Sequence, residues 1–86
     1  MKWFQQNQQD PISKTVIHRF TADIDSLSIF CVVESVSDEW WCYCYHGHPA
    51  NDIAPPSTHK TSAAAKKRVL KNVLAWLERQ RAEVLK

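Results

Sequence analysis

The stretch "DEWWCYCYHGHP", residues 38–49, sets two Trp, two Tyr, two Cys and two His within nine positions. In an extended chain successive side chains point to opposite faces. Trp40, Cys42, Cys44 and His46 then share one face, and Trp41, Tyr43 and Tyr45 the other. Bulky aromatic residues favour a strand, and "GHP" ends it. Cysteine packs as a small hydrophobe, so the Cys42 and Cys44 face suits burial beneath a helix. The Trp41, Tyr43 and Tyr45 face is then either covered by another segment or left as a surface for a partner.

Upstream, "KTVIHRFTA" (14–22) and "LSIFCVVESV" (27–36) read as two further strands, both rich in β-branched and aromatic residues. "ADIDS" and "SDE" supply the turns, and such short connections make antiparallel neighbours the simplest pairing. Downstream, residues 47–61 carry three of the four prolines and the single glycine, which predicts an irregular loop. Residues 62–86 have helical periodicity, with Val69, Leu70, Val73, Trp76, Leu77 and Val84 on one face and Leu74 at its margin. Thr61 or Ser62 is the N-cap candidate. "KWFQQNQQ" (2–9) predicts either a short helix ended by Asp10-Pro11 or a disordered arm. Trp3 and Phe4 would anchor it and could fold over the Trp41, Tyr43 and Tyr45 face. The expected architecture over residues 1–86 is one α+β domain. It has an N-terminal segment (1–13), a three-stranded antiparallel sheet (14–46), a Pro-rich loop (47–61) and one long C-terminal amphipathic helix (62–86).

At 86 residues the chain is near the size at which one core gives only marginal stability. "MKWFQQNQQ" lacks the apolar core of a secretory signal, and the longest apolar run, Ile29 to Val33, is too short for a bilayer. Three cysteines, an odd number, give no disulfide framework. The expectation is a cytoplasmic protein with no membrane partner.

The Cys and His residues raise the question of a metal. Their spacing is C-x-C-x-H-x-H, but side chains two apart on a strand stand parallel, about 6.6–6.8 Å apart along the chain. Structural zinc sites draw instead on tight turns that let two thiolates converge. Only His46, His48 and His59 around the loop look free to meet, so buried strand cysteines are expected, with no metal and no cofactor. Nothing fixes a thiolate beside a base held by a third group, and no phosphate loop or paired-carboxylate motif is present. The chain is not expected to be an enzyme.

Charge is divided along the sequence. Residues 1–58 carry three cations against seven acids, a net of −4, and residues 59–86 carry eight against two, a net of +6. Lys66, Lys67 and Arg68 sit in the early turns of the predicted helix, where its dipole disfavours cations, and a bound anion would relieve that conflict. Solvent screening would relieve it as well.

A short N-terminal helix, three antiparallel strands and a final helix with basic early turns resemble a double-stranded-RNA-binding domain. "KRVLK", with Lys67, Arg68 and Lys71, matches by spacing the family's basic cluster on that helix. The resemblance implies that these residues grip phosphates and that Gln5, Gln8 and Gln9 of a first helix approach a minor groove. The chain departs from the family in the long 47–61 segment that precedes its final helix.

The functional expectation is a small RNA-binding or DNA-binding protein that grips a duplex backbone through Lys66, Lys67, Arg68 and Lys71. Arg79 would extend the stripe, with Gln5 and Gln8 secondary. The alternative is a compact protein–protein interaction module or inhibitor, of the accessory type used by phages and mobile elements. It would occlude a partner, such as a nucleic-acid-handling protein, through Trp41, Tyr43 and Tyr45 or the 47–61 loop. The protein would be a monomer or, by pairing of strand edges, a homodimer.

Overall fold

A computed structural model describes residues 1–9 and 11–86, with Val36 described by its backbone alone. The elements in chain order are strands β1 (Phe4–Gln9), β2 (Val16–Ile24), β3 (Ile29–Val36), β4 (Glu39–His46) and β5 (Ser57–His59), followed by helix α1 (Ser62–Val84). The strands form one antiparallel sheet in sequence order, β1-β2-β3-β4-β5, so every strand pairs with its neighbour in the chain. The three expected strands are present as β2, β3 and β4, but the sheet has five strands and not three.

Both additional strands correct the expectation. The N-terminal segment is neither helix nor loose arm: Phe4–Gln9 pairs along its length with β2, from Phe4 opposite Thr21 to Gln9 opposite Val16. Glutamine and asparagine are weak strand formers, so the free edge of β2 imposes this conformation by backbone pairing. The proposed stop at Asp10 lies outside the described residues. At the other edge, β5 arises inside the Pro-rich segment, where Ser57, Thr58 and His59 pair with Cys42, Trp41 and Trp40. That segment is pinned again where Ile53 N–H donates to Cys44 O at 3.0 Å.

The β3–β4 pairing sets the two faces. Ile29, Cys31 and Val33 lie opposite His46, Cys44 and Cys42 on one side, and Phe30, Val32 and Glu34 lie opposite Tyr45, Tyr43 and Trp41 on the other. Helix α1 covers the first side, packing mainly on β4 and then on β3 and β5. Its contact stripe is Ala65, Val69 and Val73, each buried, with Trp76 and Leu77 half-buried. These meet Ala22, Cys31, Val33, Cys42, Cys44 and the loop residue Ile53. Burial of a valine side chain contributes about 1.5–3 kcal/mol, so Val69 and Val73 are principal anchors of the helix.

The helix begins as expected: Thr61 is the N-cap and its Oγ1 accepts from Ala64 N–H at 3.1 Å. Its apolar face is rotated from the expected one. Small side chains at Ala65, Cys42 and Cys44 let the helix sit close on the Ala65 stripe, leaving Leu70 43% and Leu74 56% exposed. Val84, at 82% exposed, is off the sheet altogether, because every residue from Glu78 onward is exposed. No described helix is long and apolar enough to cross a membrane.

Candidate functional site

The side of the sheet away from α1 is open. Cross-strand pairing lines up Phe4, Thr21, Val32 and Tyr43 in one row, and Gln6, Arg19, Glu34, Trp41 and Thr58 in the next. A third row holds Asp23, Phe30 and Tyr45. Val32 is fully buried on this side although no helix lies over it, walled by its neighbours within the sheet. Around it Phe4 is 54% and Trp41 40% exposed, while Phe30, Tyr43 and Tyr45 are half-buried. The Phe30 and Tyr45 rings tilt together with centroids 5.2 Å apart.

The N-terminal residues do not cover this face. Trp3 packs against the helix-side core, whereas Phe4 joins the open face and enlarges it. Lys2 Nζ lies 5.4 Å from the Phe4 ring centroid at its rim. The charges on the face are Asp23, Glu34 and Glu39 against Arg19 and, at the rim, Lys2; the Arg19 Nε is buried with no hydrogen-bond partner among the described residues. Burial first, and the neighbouring Glu34 charge second, push the Tyr43 phenol above its ordinary range, which keeps it a hydrogen-bond donor. Beside the third row a cavity of about 370 Å³ opens between Phe30, Tyr45 and the acids Asp23 and Asp25.

Of the residues expected on this surface, Trp41, Tyr43 and Tyr45 are all here. Phe30 and Arg19 were missed, and Phe4, which could have folded over this face, instead forms part of it. Phe30 and Arg19 carry a readable signal, since alternation in β2 and β3 puts each on the side of its neighbours at i±2; Phe4 carries none unless Phe4–Gln9 is read as a strand.

The basic residues of α1 divide. Lys66 turns toward the sheet, its Nζ 3.7 Å from the Phe20 ring centroid and 5.8 Å from that of Trp3. Arg79 Nη2 donates to Ile53 O at 3.4 Å, tying the loop to the helix. Arg81 and Lys86 pair with Glu78 and Glu83 at 3.5 and 3.2 Å, both pairs exposed. Lys67, Arg68 and Lys71 remain exposed with no ion pair among the described residues, and Leu70 and Leu74 are exposed on the same outer side of the helix. Gln5 and Gln8 are not near this cluster. They sit in β1 on opposite faces, and Gln5 Nε2 donates to Asn7 Oδ1 at 3.4 Å.

The cysteines and histidines are engaged in local contacts and do not gather at one point. Cys31, Cys42 and Cys44 are free thiols, all buried in the helix-side core. The Cys31 thiol is pushed well above its ordinary range, by its hydrogen bond with Cys44 first and burial second. Cys42 Sγ lies 3.2 Å from Ser57 Oγ, which lies 2.9 Å from His59 Nε2. The His46 ring tilts against Trp76 with centroids 4.9 Å apart, and His48 Nδ1 accepts from Ala50 N–H at 3.0 Å. Hence His46, His48 and His59 do not converge, and no group of three or more potential ligands among the described residues is placed to hold a metal. Compared with protein-family models, curated proteins and solved structures, the chain gives no match.

Proposed function

We propose that this chain is a non-enzymatic binding protein that docks another protein on the open face of its sheet. The observation that carries this reading is that Phe4, Phe30, Trp41, Tyr43 and Tyr45 lie on the same side of the sheet as Val32, with no strand or helix among the described residues packed over them. Contiguous exposed apolar surface of this kind marks interaction sites, and Trp, Tyr and Arg are the usual anchors of interface energy. Three carboxylates against the Arg19 guanidinium and the rim ammonium of Lys2 leave the face slightly acidic, which suits a basic partner surface, such as that of a nucleic-acid-handling protein, better than a phosphate backbone. The protein would then act by occlusion.

A second reading has its own observation: Lys67, Arg68 and Lys71 project from α1 without acidic partners among the described residues. They supply three of the phosphate contacts that the resemblance to a double-stranded-RNA-binding domain implies. Affinity for duplex nucleic acid would then fall steeply with salt.

Two variants separate the readings. Trp41→Ala/Tyr43→Ala and Lys67→Ala/Arg68→Ala/Lys71→Ala are compared with wild type in duplex RNA and duplex DNA gel shifts at two salt concentrations. Both are also used in affinity capture, followed by calorimetric titration of the captured protein after purification. The leading reading expects the aromatic variant alone to lose the purified partner, with no salt-sensitive duplex shift for wild type. A salt-sensitive shift abolished by the triple variant and untouched by the aromatic one would overturn it in favour of the helix.

A further inference from the structure

The two edges of the sheet are managed differently. Strand β5 is three residues long and has α1 packed against it. Strand β1 is six residues long, exposed at every position, and paired among the described residues with β2 alone. Its outer N–H and C=O groups form a row with no backbone partner among the described residues. Proteins blunt such edges with lysine, proline, bulges or covering elements. "FQQNQQ" contains no charge and no proline, and its register with β2 runs unbroken from Phe4 to Gln9.

We infer that β1 is a self-association edge, pairing antiparallel with β1 of a second copy to make one ten-stranded sheet. The second copy is the fitting occupant because the strand is complementary to itself. It is uncharged, so two copies meet without repulsion, and each side-chain amide both donates and accepts. On the helix side these amides are already used: Gln5 donates to Asn7, Asn7 Oδ1 lies 3.0 Å from His18 Nδ1, and Gln9 donates to Lys14 O. On the open side Gln6 and Gln8 have no partner among the described residues.

Register follows from symmetry. A two-fold axis perpendicular to the sheet places one residue opposite itself and keeps both open faces on the same side. With Gln6 at the axis, Phe4 meets Gln8 of the second copy, and all positions from 4 to 8 are paired. Both helices lie on the far side over β3, β4 and β5, clear of the seam. The two aromatic faces become one continuous surface with a Phe4 on each side of the axis. Pairing of one strand buries less than the roughly 800 Å² per partner of a standard interface, so association depends on concentration.

Sedimentation equilibrium over a dilution series tests this. The wild-type mass is expected to rise from the 10.0 kDa of one chain toward twice that value, with slowed amide exchange at residues 4–9. Gln6→Lys/Gln8→Lys, two exposed changes that circular dichroism can confirm leave the fold intact, sets an ammonium against its own copy and should stay monomeric. Mixing it with Gln6→Glu/Gln8→Glu should restore the dimer as a heterodimer. A wild type that stays at the monomer mass at the highest concentration overturns the inference. So does a failure of the mixed variants to associate. Association lost with Trp41→Ala and kept with Gln6→Lys/Gln8→Lys would place the contact on the aromatic face instead, and growth into larger or fibrillar species would rule out a closed two-fold pair.

Discussion

The Lys66 ammonium lies 3.7 Å from the centroid of the Phe20 ring, so this cation belongs to the junction of α1 with β2 more than to the outer basic side of the helix. A cation over an aromatic face contributes about 0.5–1 kcal/mol when exposed and up to about 2 kcal/mol when desolvated. In urea unfolding, a double-mutant cycle of Lys66→Met and Phe20→Leu should therefore show a coupling of about 1 kcal/mol. No measurable coupling would mean that Lys66 merely rests on the ring.

Rotation of the buried stripe is testable on adjacent residues. Val69 is fully buried and Leu70 is 43% exposed. Val69→Ala should cost about 2 kcal/mol through lost burial and a residual cavity, whereas Leu70→Ala should stay within about 0.5 kcal/mol. Equal costs in chemical denaturation would contradict the packing described for α1.

At the turn between β3 and β4, Ser37 has φ 58, a left-handed conformation with no glycine to accept it. A left-handed L-residue costs about 1–2 kcal/mol, and glycine removes that at an entropic cost of about 0.5–1 kcal/mol. Ser37→Gly should accordingly raise stability by about 0.5 kcal/mol, read as a higher urea midpoint with unchanged m-value. A lower midpoint would show that the serine side chain stabilises the turn.

Alkaline pH should weaken the fold through Tyr43. Its folded pKa is raised above the ordinary 10.0 by burial and by Glu34. A raised pKa gives stability that is fully present below the unfolded value and is lost as pH rises through the folded one. Melting temperatures should then fall above about pH 10, and Tyr43→Phe should fall less steeply. If both proteins fall in parallel, the loss arises elsewhere.

Strands β2, β3 and β4 were legible because their β-branched and aromatic residues alternate, and the two-residue period in 40–46 correctly put Cys42 and Cys44 under the helix. Strand β1 was not. Nothing in Gln5 to Gln9 favours extension; the backbone of β2 supplies it, and such a tertiary cause leaves no local pattern. Strand β5 hides for a related reason, since Ser57–His59 is held by its register with Trp40, Trp41 and Cys42 amid prolines. The helix was readable in its extent and cap but not in its rotation, because Leu70 outranks Ala65 in hydrophobicity, while closeness to the sheet rewards the smaller residue. The open face needed registers across four strands: Trp41, Tyr43 and Tyr45 share one strand and group by alternation alone, Phe30 and Arg19 join them once their strands are paired with β4, and Phe4 only once β1 is read as a strand.

The strictly sequential strand order has a kinetic consequence. Every β pairing joins chain neighbours, and the β3–β4 hairpin closes through only Ser37 and Asp38. Loop-closure entropy is thus small at each step, and contacts of short sequence separation favour rapid folding. The sheet can zip outward from the β3–β4 hairpin, with α1 docking as β5 forms. Strand β1, having no buried side chain to gain, is the natural last arrival, so a nascent chain would keep that edge unformed until the rest of the sheet can present it.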